Sequence, residues 1–147
     1  VFHVKVRYER TAFYYETDQM AIIHHANYIR WMEEARIFAM QQVGIDYAVM
    51  EQEGVQIPVL GVECTYRSMV RFGDTVYIDA WVEEYDGVRL VIGYTITDKK
   101  TGELRTTARS RHCFLASASG RPVSLKRRMP AMHERFLRFL EPEQGEG

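Results

Sequence analysis

The stretch NYIRWMEEARIFAMQQV, residues 27–43, decides the fold. It contains no Gly or Pro and is rich in Met, Ala, Glu, Gln and Arg, which favour helix along its whole length. Gly44 follows it and supplies a stop signal. The apolar residues cover most of the helix circumference: Tyr28, Ile29, Trp31, Met32, Ala35, Phe38, Ala39, Met40 and Val43. We expect such a helix to be buried on several sides.

Strand patterns surround this helix. Before it, Phe2, Val4, Val6 and Tyr8 alternate with polar or charged residues, which predicts a half-buried strand over residues 2–8. Short turn-forming connections such as Asp86-Gly87 join the strand-like stretches after the helix and predict an antiparallel meander. These stretches are residues 57–69, 75–84, 88–97 and 104–116, and a short amphipathic helix is predicted over 132–140.

One long helix with about five strands predicts an α+β fold in which an antiparallel sheet curls around the helix. A chain of 147 residues favours a single domain, which we place at residues 1–140. The remaining EPEQGEG, residues 141–147, is expected to be a disordered tail. Because one sheet layer leaves the helix partly uncovered, we expect at least a dimer.

Composition excludes several classes of function. Nineteen Lys and Arg residues against twenty Asp and Glu give a net charge of -1, so no overall positive field attracts nucleic acid or anionic lipid. The only cysteines, Cys64 and Cys113, lie in apolar strand-like stretches and are expected to be reduced. We find no leader-like apolar run near Val1 and no membrane-length run of roughly eighteen apolar residues. The sequence predicts a soluble, cytoplasmic protein without membrane insertion.

The segment YYETDQMAIIHHANY, residues 14–28, carries the candidate chemistry. It leads into a helix N-terminus, where free N–H groups and a partial positive charge can stabilise an oxyanion. Asp18 could attack a carbonyl or activate water, or it could cap a short turn, Asn27 being the better cap for the long helix. His24 and His25 have no third ligand at zinc-like spacing, so no metal site is expected, and one of them could be structural.

Other candidate residues are less specific. Glu33 or Glu34 could serve as a base in the same cleft, although a solvated or ion-paired role is favoured. His112 and Cys113 are neighbours on a predicted strand and should point to opposite faces, which argues against a Cys-His dyad. The basic run between Arg121 and Arg128 could bind phosphates or form a solvated connection, and the connection is slightly favoured.

The longer segment YYETDQMAIIHHANYIRWMEEAR, residues 14–36, closely resembles the signature of hotdog-fold acyl-CoA thioesterases of the 4-hydroxybenzoyl-CoA thioesterase type, in particular the Tol-Pal-associated branch. The resemblance covers nearly the whole chain, including the FGD turn at residues 72–74 and the late strand after residue 104. It implies hydrolysis of acyl-CoA thioesters to free acid and CoA without metal or redox cofactor. It also implies a central helix wrapped by the sheet, protomers joined edge to edge, and a homotetramer as a common assembly.

The resemblance assigns roles residue by residue. Asp18 falls on the catalytic aspartate, and Tyr14 and His25 fall on the accompanying catalytic positions. The backbone amide of His25 falls on the donor that polarises the thioester carbonyl. Whether Asp18 attacks the carbonyl carbon or deprotonates a water stays open. The implied substrate-binding residues are Ile23, His24, Asn27 and Tyr28.

One departure from the family pattern keeps an alternative open. Ala21 stands where the family usually has glycine, and an alanine would reshape a loop that needs positive φ. A non-catalytic protein that binds acyl-CoA or a partner is therefore the alternative from another class. A hotdog acyl-thioester dehydratase ranks lower, because no Pro lies between Val1 and Ile57 to form its characteristic loop.

Overall fold

The computed structural model describes residues 5–17 and 25–140, with residues 25 and 26 described by their backbone alone. The predicted tail and the start of the predicted first strand lie outside these ranges, and the single domain over 1–140 stays a prediction. The strands are β1 (Val6–Thr11), β2 (Val55–Gln56), β3 (Val59–Tyr66), β4 (Thr75–Tyr85), β5 (Arg89–Asp98), β6 (Leu104–Cys113) and β7 (Leu115–Ala116). The helices are a 3-10 turn (Tyr14–Glu16), α1 (His25–Gln42), α2 (Tyr47–Gln52), α3 (Leu125–Arg128) and α4 (Pro130–Leu140).

The five long strands form one antiparallel sheet in the order β1-β4-β5-β6-β3. The predicted meander holds for β4, β5 and β6, but it is wrong for β3, which pairs with β6 and not with the next strand, β4. The turn at Gly73, where φ is +86°, instead meets the end of β1. Ala12 N donates to Asp74 O at 2.9 Å, and Gly73 N donates to Ala12 O at 3.2 Å. β1 therefore occupies the place beside β4 that a simple hairpin would give to β3.

Helix α1 contacts β1 and β4 and closes the core with the inner face of the sheet. Its buried apolar residues are Tyr28, Trp31, Met32, Ala35, Ala39 and Met40, and they face the alternating buried residues of the central strands. These strand residues include Val76, Ile78, Ala80, Val82, Leu90, Ile92 and Ile96. Ile29 is 49% exposed, so part of the helix stays uncovered in the single chain. The predicted α+β arrangement of about five antiparallel strands around one long helix is confirmed.

The predicted C-terminal helix is also confirmed, and it packs against β4 as α4. Phe136 and Phe139 are buried, and the Phe136 ring stacks on Tyr85 with 5.0 Å between centroids. His133 adds a 2.6 Å hydrogen bond between its Nδ1 and the Tyr85 hydroxyl. An aromatic pair and one buried polar contact thus fix the helix on the sheet.

Several element bounds differ from the prediction. α1 begins at His25, two residues before the predicted start, and β1 continues to Thr11. α2 and α3 were not predicted, because one or two helical turns are too short for a periodic apolar signal. Cys64 and Cys113 are unpaired thiols. Within residues 5–17 and 25–140, no helix combines the length and the apolar character that a membrane crossing needs.

Candidate active site

The 3-10 turn after β1 lies against the start of α1. Asn27 Nδ2 donates to the backbone carbonyl of Glu16 at 2.9 Å, and one turn further Trp31 Nε1 donates to the Glu16 carboxylate at 2.8 Å. Asp18 lies between these two anchored ends of the chain and outside the described residues, as do Ile23 and His24. The described contacts therefore bring together the two ends of the segment to which the sequence assigns the chemistry.

The N-terminus of α1 forms one side of this candidate site. The first N–H groups of a helix have no partner within the helix, and the helix dipole makes this end partly positive. The first turn of α1 contains no acidic residue that would offset this charge. Asn27 is the third residue of the helix and directs its amide to Glu16, so it is not the cap that its position in the sequence suggested. This helix end can stabilise negative charge on a carbonyl oxygen.

Glu16 is the most heavily hydrogen-bonded carboxylate of the described residues near this site. It is 1% exposed, and Phe13 N donates to its Oε1 at 2.9 Å. Arg10 Nη1 and Nη2 donate to Oε1 and Oε2 at 3.0 and 2.9 Å. Burial acts to raise the pKa of Glu16, but the hydrogen bonds from Phe13, Trp31 and Arg10 together lower it below its usual value. The carboxylate is therefore charged at neutral pH.

Arg10 also links this site to the body of α1. Its Nε donates to Glu34 Oε1 at 2.8 Å, and the Tyr8 hydroxyl donates to the same oxygen at 2.9 Å. Glu34 is thus ion-paired, which is the role that the sequence analysis favoured over that of a catalytic base. Arg10 and Glu16 were not singled out by the sequence reasoning, although a signal existed. Extending the alternation beyond Tyr8 puts Arg10 on the inner face, and Glu16 follows Phe13 at capping-box spacing.

Exposed aromatic side chains surround the 3-10 turn. Tyr14 is 75% exposed, and its ring meets Phe72 edge-on with 5.6 Å between centroids. Phe13 stacks on Tyr15 with 5.7 Å between centroids. Thr17 N and Oγ1 donate to the Tyr14 carbonyl at 3.1 and 2.6 Å, which fixes the turn. An apolar surface of this kind can receive an acyl group or a partner chain.

Tyr28, which the resemblance makes a substrate-binding residue, is only 2% exposed. Its hydroxyl accepts a hydrogen bond from Val70 N at 3.3 Å, and its ring lies 5.1 Å from that of Tyr66. Burial raises the pKa of Tyr28, so the hydroxyl is neutral. The roles of Tyr28, Asn27 and Tyr14, and those assigned to Ile23, His24 and His25, stay predictions.

A second buried polar cluster crosses the core and was not predicted. Arg36 Nη1 donates to the Tyr94 hydroxyl at 3.2 Å, and that hydroxyl lies 2.7 Å from Ser110 Oγ. Ser110 Oγ lies in turn 2.8 Å from His112 Nε2. Burial and then the charge of Arg36 lower the pKa of His112 to about 4, so this histidine is neutral. Cys113 takes no part in the cluster, as its place on the opposite strand face predicted.

The remaining candidates lie elsewhere on the surface. Arg127 and Arg128 line a groove of about 310 Å³ with Val123 and Ser124. Arg128 Nη2 also donates to the Glu53 carbonyl at 3.1 Å, so one residue of the basic run joins α3 to the end of α2. Among residues 5–17 and 25–140, no group of three His, Cys, Asp or Glu side chains is arranged to hold a metal ion.

Comparison with known proteins identifies the family. Residues 6–140 match the model of the Thioesterase-like superfamily. The chain belongs to this family. A Bacillus subtilis protein named "Putative acyl-CoA thioesterase YneP" is 36% identical over 123 residues, which are 84% of this chain and 88% of that protein.

Solved structures agree with this family. A DHNA-CoA thioesterase from Staphylococcus aureus superposes with a TM-score of 0.86 at 34% identity, covering 90% of this chain and 89% of that one. SAV2348, also from Staphylococcus aureus and solved in complex with CoA, gives a TM-score of 0.82 at 17% identity over 98% and 90% of the two chains, which shows a shared fold. The predicted hotdog fold and the thioesterase superfamily are confirmed, while the narrower Tol-Pal-associated branch stays a prediction.

Proposed function

We propose that this protein hydrolyses acyl-CoA thioesters, with Asp18 acting on the thioester carbonyl and the backbone amide of His25 polarising it. Thioester hydrolysis, the enzyme class predicted from the sequence, agrees with the family and with the relatives' names. The residue roles are the proposal. The observation that carries them is the hydrogen bond from Asn27 to the Glu16 carbonyl, which draws the turn before Asp18 against the N-terminus of α1.

The chemistry needs one carboxylate and one oxyanion donor. In one route Asp18 attacks the carbonyl carbon, the C–S bond breaks, CoA leaves as a thiolate, and water then hydrolyses the acyl-aspartyl anhydride. In the other route Asp18 takes a proton from water, the hydroxide attacks the carbonyl, and the C–S bond breaks as CoA leaves as a thiolate that takes up the proton held by Asp18. Both routes convert a thioester and water to an acid and a thiol. Tyr14 and the His25 side chain would orient Asp18, the thioester or the water.

Aromatic acyl groups are the first substrate class to test. The Staphylococcus aureus relative is a DHNA-CoA thioesterase, and a Thermosynechococcus vestitus protein 23% identical over 125 residues is named a 1,4-dihydroxy-2-naphthoyl-CoA hydrolase. The exposed rings of Tyr14, Tyr15 and Phe72 offer a surface on which a flat acyl group can stack. The groove at Arg127 and Arg128 is the candidate contact for CoA phosphates.

The active unit would be a dimer or a tetramer built on β3. This strand is an edge of the five-stranded sheet, and an edge strand presents unpaired backbone groups. Its residues Val59, Leu60 and Tyr66 are 48%, 59% and 40% exposed. A second copy paired along this edge would bury them. Sedimentation of the wild type and of Leu60→Lys tests this assembly, and a wild-type monomer would rule it out. A cytoplasmic location also stays a proposal.

The decisive experiment compares free-thiol release by the wild type, Asp18→Asn and Asp79→Asn on aromatic, short and long acyl-CoAs. Asp79→Asn makes the same chemical change in a residue that pairs with Arg7 on the outer face of the sheet, so it serves as the matched control. Loss of a catalytic carboxylate should reduce kcat by about 10²–10⁴-fold. Full activity in Asp18→Asn would reject the mechanism. Binding of acyl-CoA by a wild type that releases no thiol would favour the non-catalytic alternative.

A further inference from the structure

We propose that Glu16 is a positioning residue that holds the segment bearing Asp18 in its reactive place by joining the two ends of that segment. This inference rests on the proposed function, since it gives Glu16 a role only through Asp18. Glu16 stands two residues before Asp18 in the chain.

The side chain of Glu16 is satisfied only as a carboxylate. Among the described residues, every group that hydrogen-bonds to its two oxygens is a donor: Phe13 N, Trp31 Nε1 and two nitrogens of Arg10. The four distances lie between 2.8 and 3.0 Å. An amide at this position would place its own N–H₂ against one of these donors. The arrangement is therefore specific for a charged acceptor and not for a polar side chain in general.

The same residue connects both sides of the intervening segment. Through Phe13 and Arg10 its carboxylate is bound to the end of β1, and through Trp31 it is bound to α1. Its backbone carbonyl accepts from Asn27 at 2.9 Å, so the chain before Asp18 and the first turn after it are tied at one residue. Displacement of a reacting group by about 1 Å can reduce a rate by about 10²-fold. A residue that fixes both ends of the segment therefore controls the rate without touching the substrate.

Glu34 provides a matched control. It is the second carboxylate on Arg10, with a 2.8 Å bond to Nε, and its side chain is 29% exposed. No described contact joins Glu34 to the 3-10 turn, because its other hydrogen bonds come from Tyr8 and from Arg10 Nη2, both on β1. Glu34→Gln thus removes one carboxylate partner of Arg10, as Glu16→Gln does, but it leaves all described contacts between Glu16 and α1 in place.

The test measures kcat and KM for thiol release at a temperature where circular dichroism shows each variant folded. Glu16→Gln should lower kcat by about 10- to 100-fold with KM within about threefold of the wild type. Glu34→Gln should keep kcat within about twofold. Trp31→Phe removes one hydrogen-bond donor to Glu16 at a fully buried position, so it should lower kcat by a smaller factor than Glu16→Gln. It is the substitute test if Glu16→Gln fails to fold.

A double variant distinguishes positioning from a general structural effect. If Glu16 acts through Asp18, Asp18→Asn/Glu16→Gln should be no slower than Asp18→Asn alone. Multiplied losses in the double variant would overturn the inference, as would an unchanged kcat in folded Glu16→Gln or an equal loss in Glu34→Gln. Wild-type activity in Asp18→Asn would instead reject the proposed function, which is a separate result.

Discussion

Replacing Arg10 with methionine should destabilise the protein by about 3–5 kcal/mol, because it leaves a buried carboxylate without its cation. The Arg10 side chain is 9% exposed and that of Glu16 is 0% exposed, so water cannot take the place of the guanidinium. Methionine keeps much of the apolar volume of the arginine stem. The change therefore removes the charge and its hydrogen bonds with little loss of packing.

The expected magnitude follows from the contacts that remain. Without Arg10, Glu16 keeps the hydrogen bonds from Phe13 N and Trp31 Nε1 and loses two charge-assisted bonds of 3.0 and 2.9 Å. Loss of one hydrogen bond to a charged group costs about 1.5–3 kcal/mol. Glu34 loses a bond as well, but it is part-exposed and adds little. Since domains are stable by about 5–15 kcal/mol, the variant should lose about a fifth or more of its stability.

Urea unfolding at one fixed protein concentration measures this loss, since an oligomer's stability depends on concentration. The pH dependence identifies its cause. In the wild type the pKa of Glu16 is lowered, so its contribution is present above its unfolded pKa and is lost as the pH falls through the folded pKa. Without Arg10 the effect of burial is less opposed and the folded pKa rises. The variant carboxyl then takes up a proton more readily, and the deficit should shrink on acidification.

Two results would refute this reasoning. A loss below about 1 kcal/mol for Arg10→Met would mean that Glu16 is not a buried charge in need of a cation. A loss that stays constant from neutral to acidic pH would mean that packing, and not charge, sets the cost. Adding Glu16→Gln to Arg10→Met should recover part of the stability, because it removes the buried negative charge that the loss of Arg10 leaves unpaired.

Three further predictions concern packing and charge in the sheet and in α4. Gly93→Ala would bring a Cβ within 2.6 Å of the Trp81 indole and should lower the free energy of unfolding by about 1–3 kcal/mol. In thermal unfolding, the same Gly93→Ala change should cost less in a Trp81→Ala background, where the clashing ring is absent. Phe136→Ala removes a fully buried ring from α4 and should cost about 3–5 kcal/mol in urea unfolding. The pKa of Asp98 is lowered by backbone hydrogen bonds and by Arg105, so its stabilising effect should disappear as the pH falls through its folded pKa, and Asp98→Asn should flatten that part of the stability profile.

Local sequence patterns predicted the elements that carry strong periodicity. The alternation of Val76, Ile78 and Ala80 matches a strand with one buried face, and the Asp86-Gly87 hairpin joins it to β5 as expected. The long helix was equally clear, since helix-favouring residues continue without interruption from Tyr28 onward. Such patterns depend on neighbours within a few residues, which is why the sequence reveals them.

The pairing of β3 could not be read in the same way. The residues around Gly73 predict a turn in the local backbone. They predict the same turn whether β3 pairs with β4 or lies at the far edge of the sheet. The choice depends on β1, whose end at Ala12 binds the Gly73 turn from about sixty residues earlier in the chain. A contact of that separation leaves no periodic trace in the sequence.

The charged residues of the candidate site were also beyond what local sequence patterns predict. The rule that charged side chains stay in water would expose Arg10 and Glu16, yet Glu16 is buried and the Arg10 side chain is only 9% exposed, because the guanidinium and the carboxylate compensate each other's charge. The resemblance to the family motif predicts a catalytic role for Asp18, whereas the described donors around Glu16 show that the carboxylate two residues earlier in the chain is held in place. Natural sequences break local rules where function requires it. The ion pair between Arg10 and Glu16 fixes a carboxylate that Trp31 Nε1 also contacts from α1. If the proposed role of Glu16 holds, a loss of stability and a loss of rate should coincide at this residue.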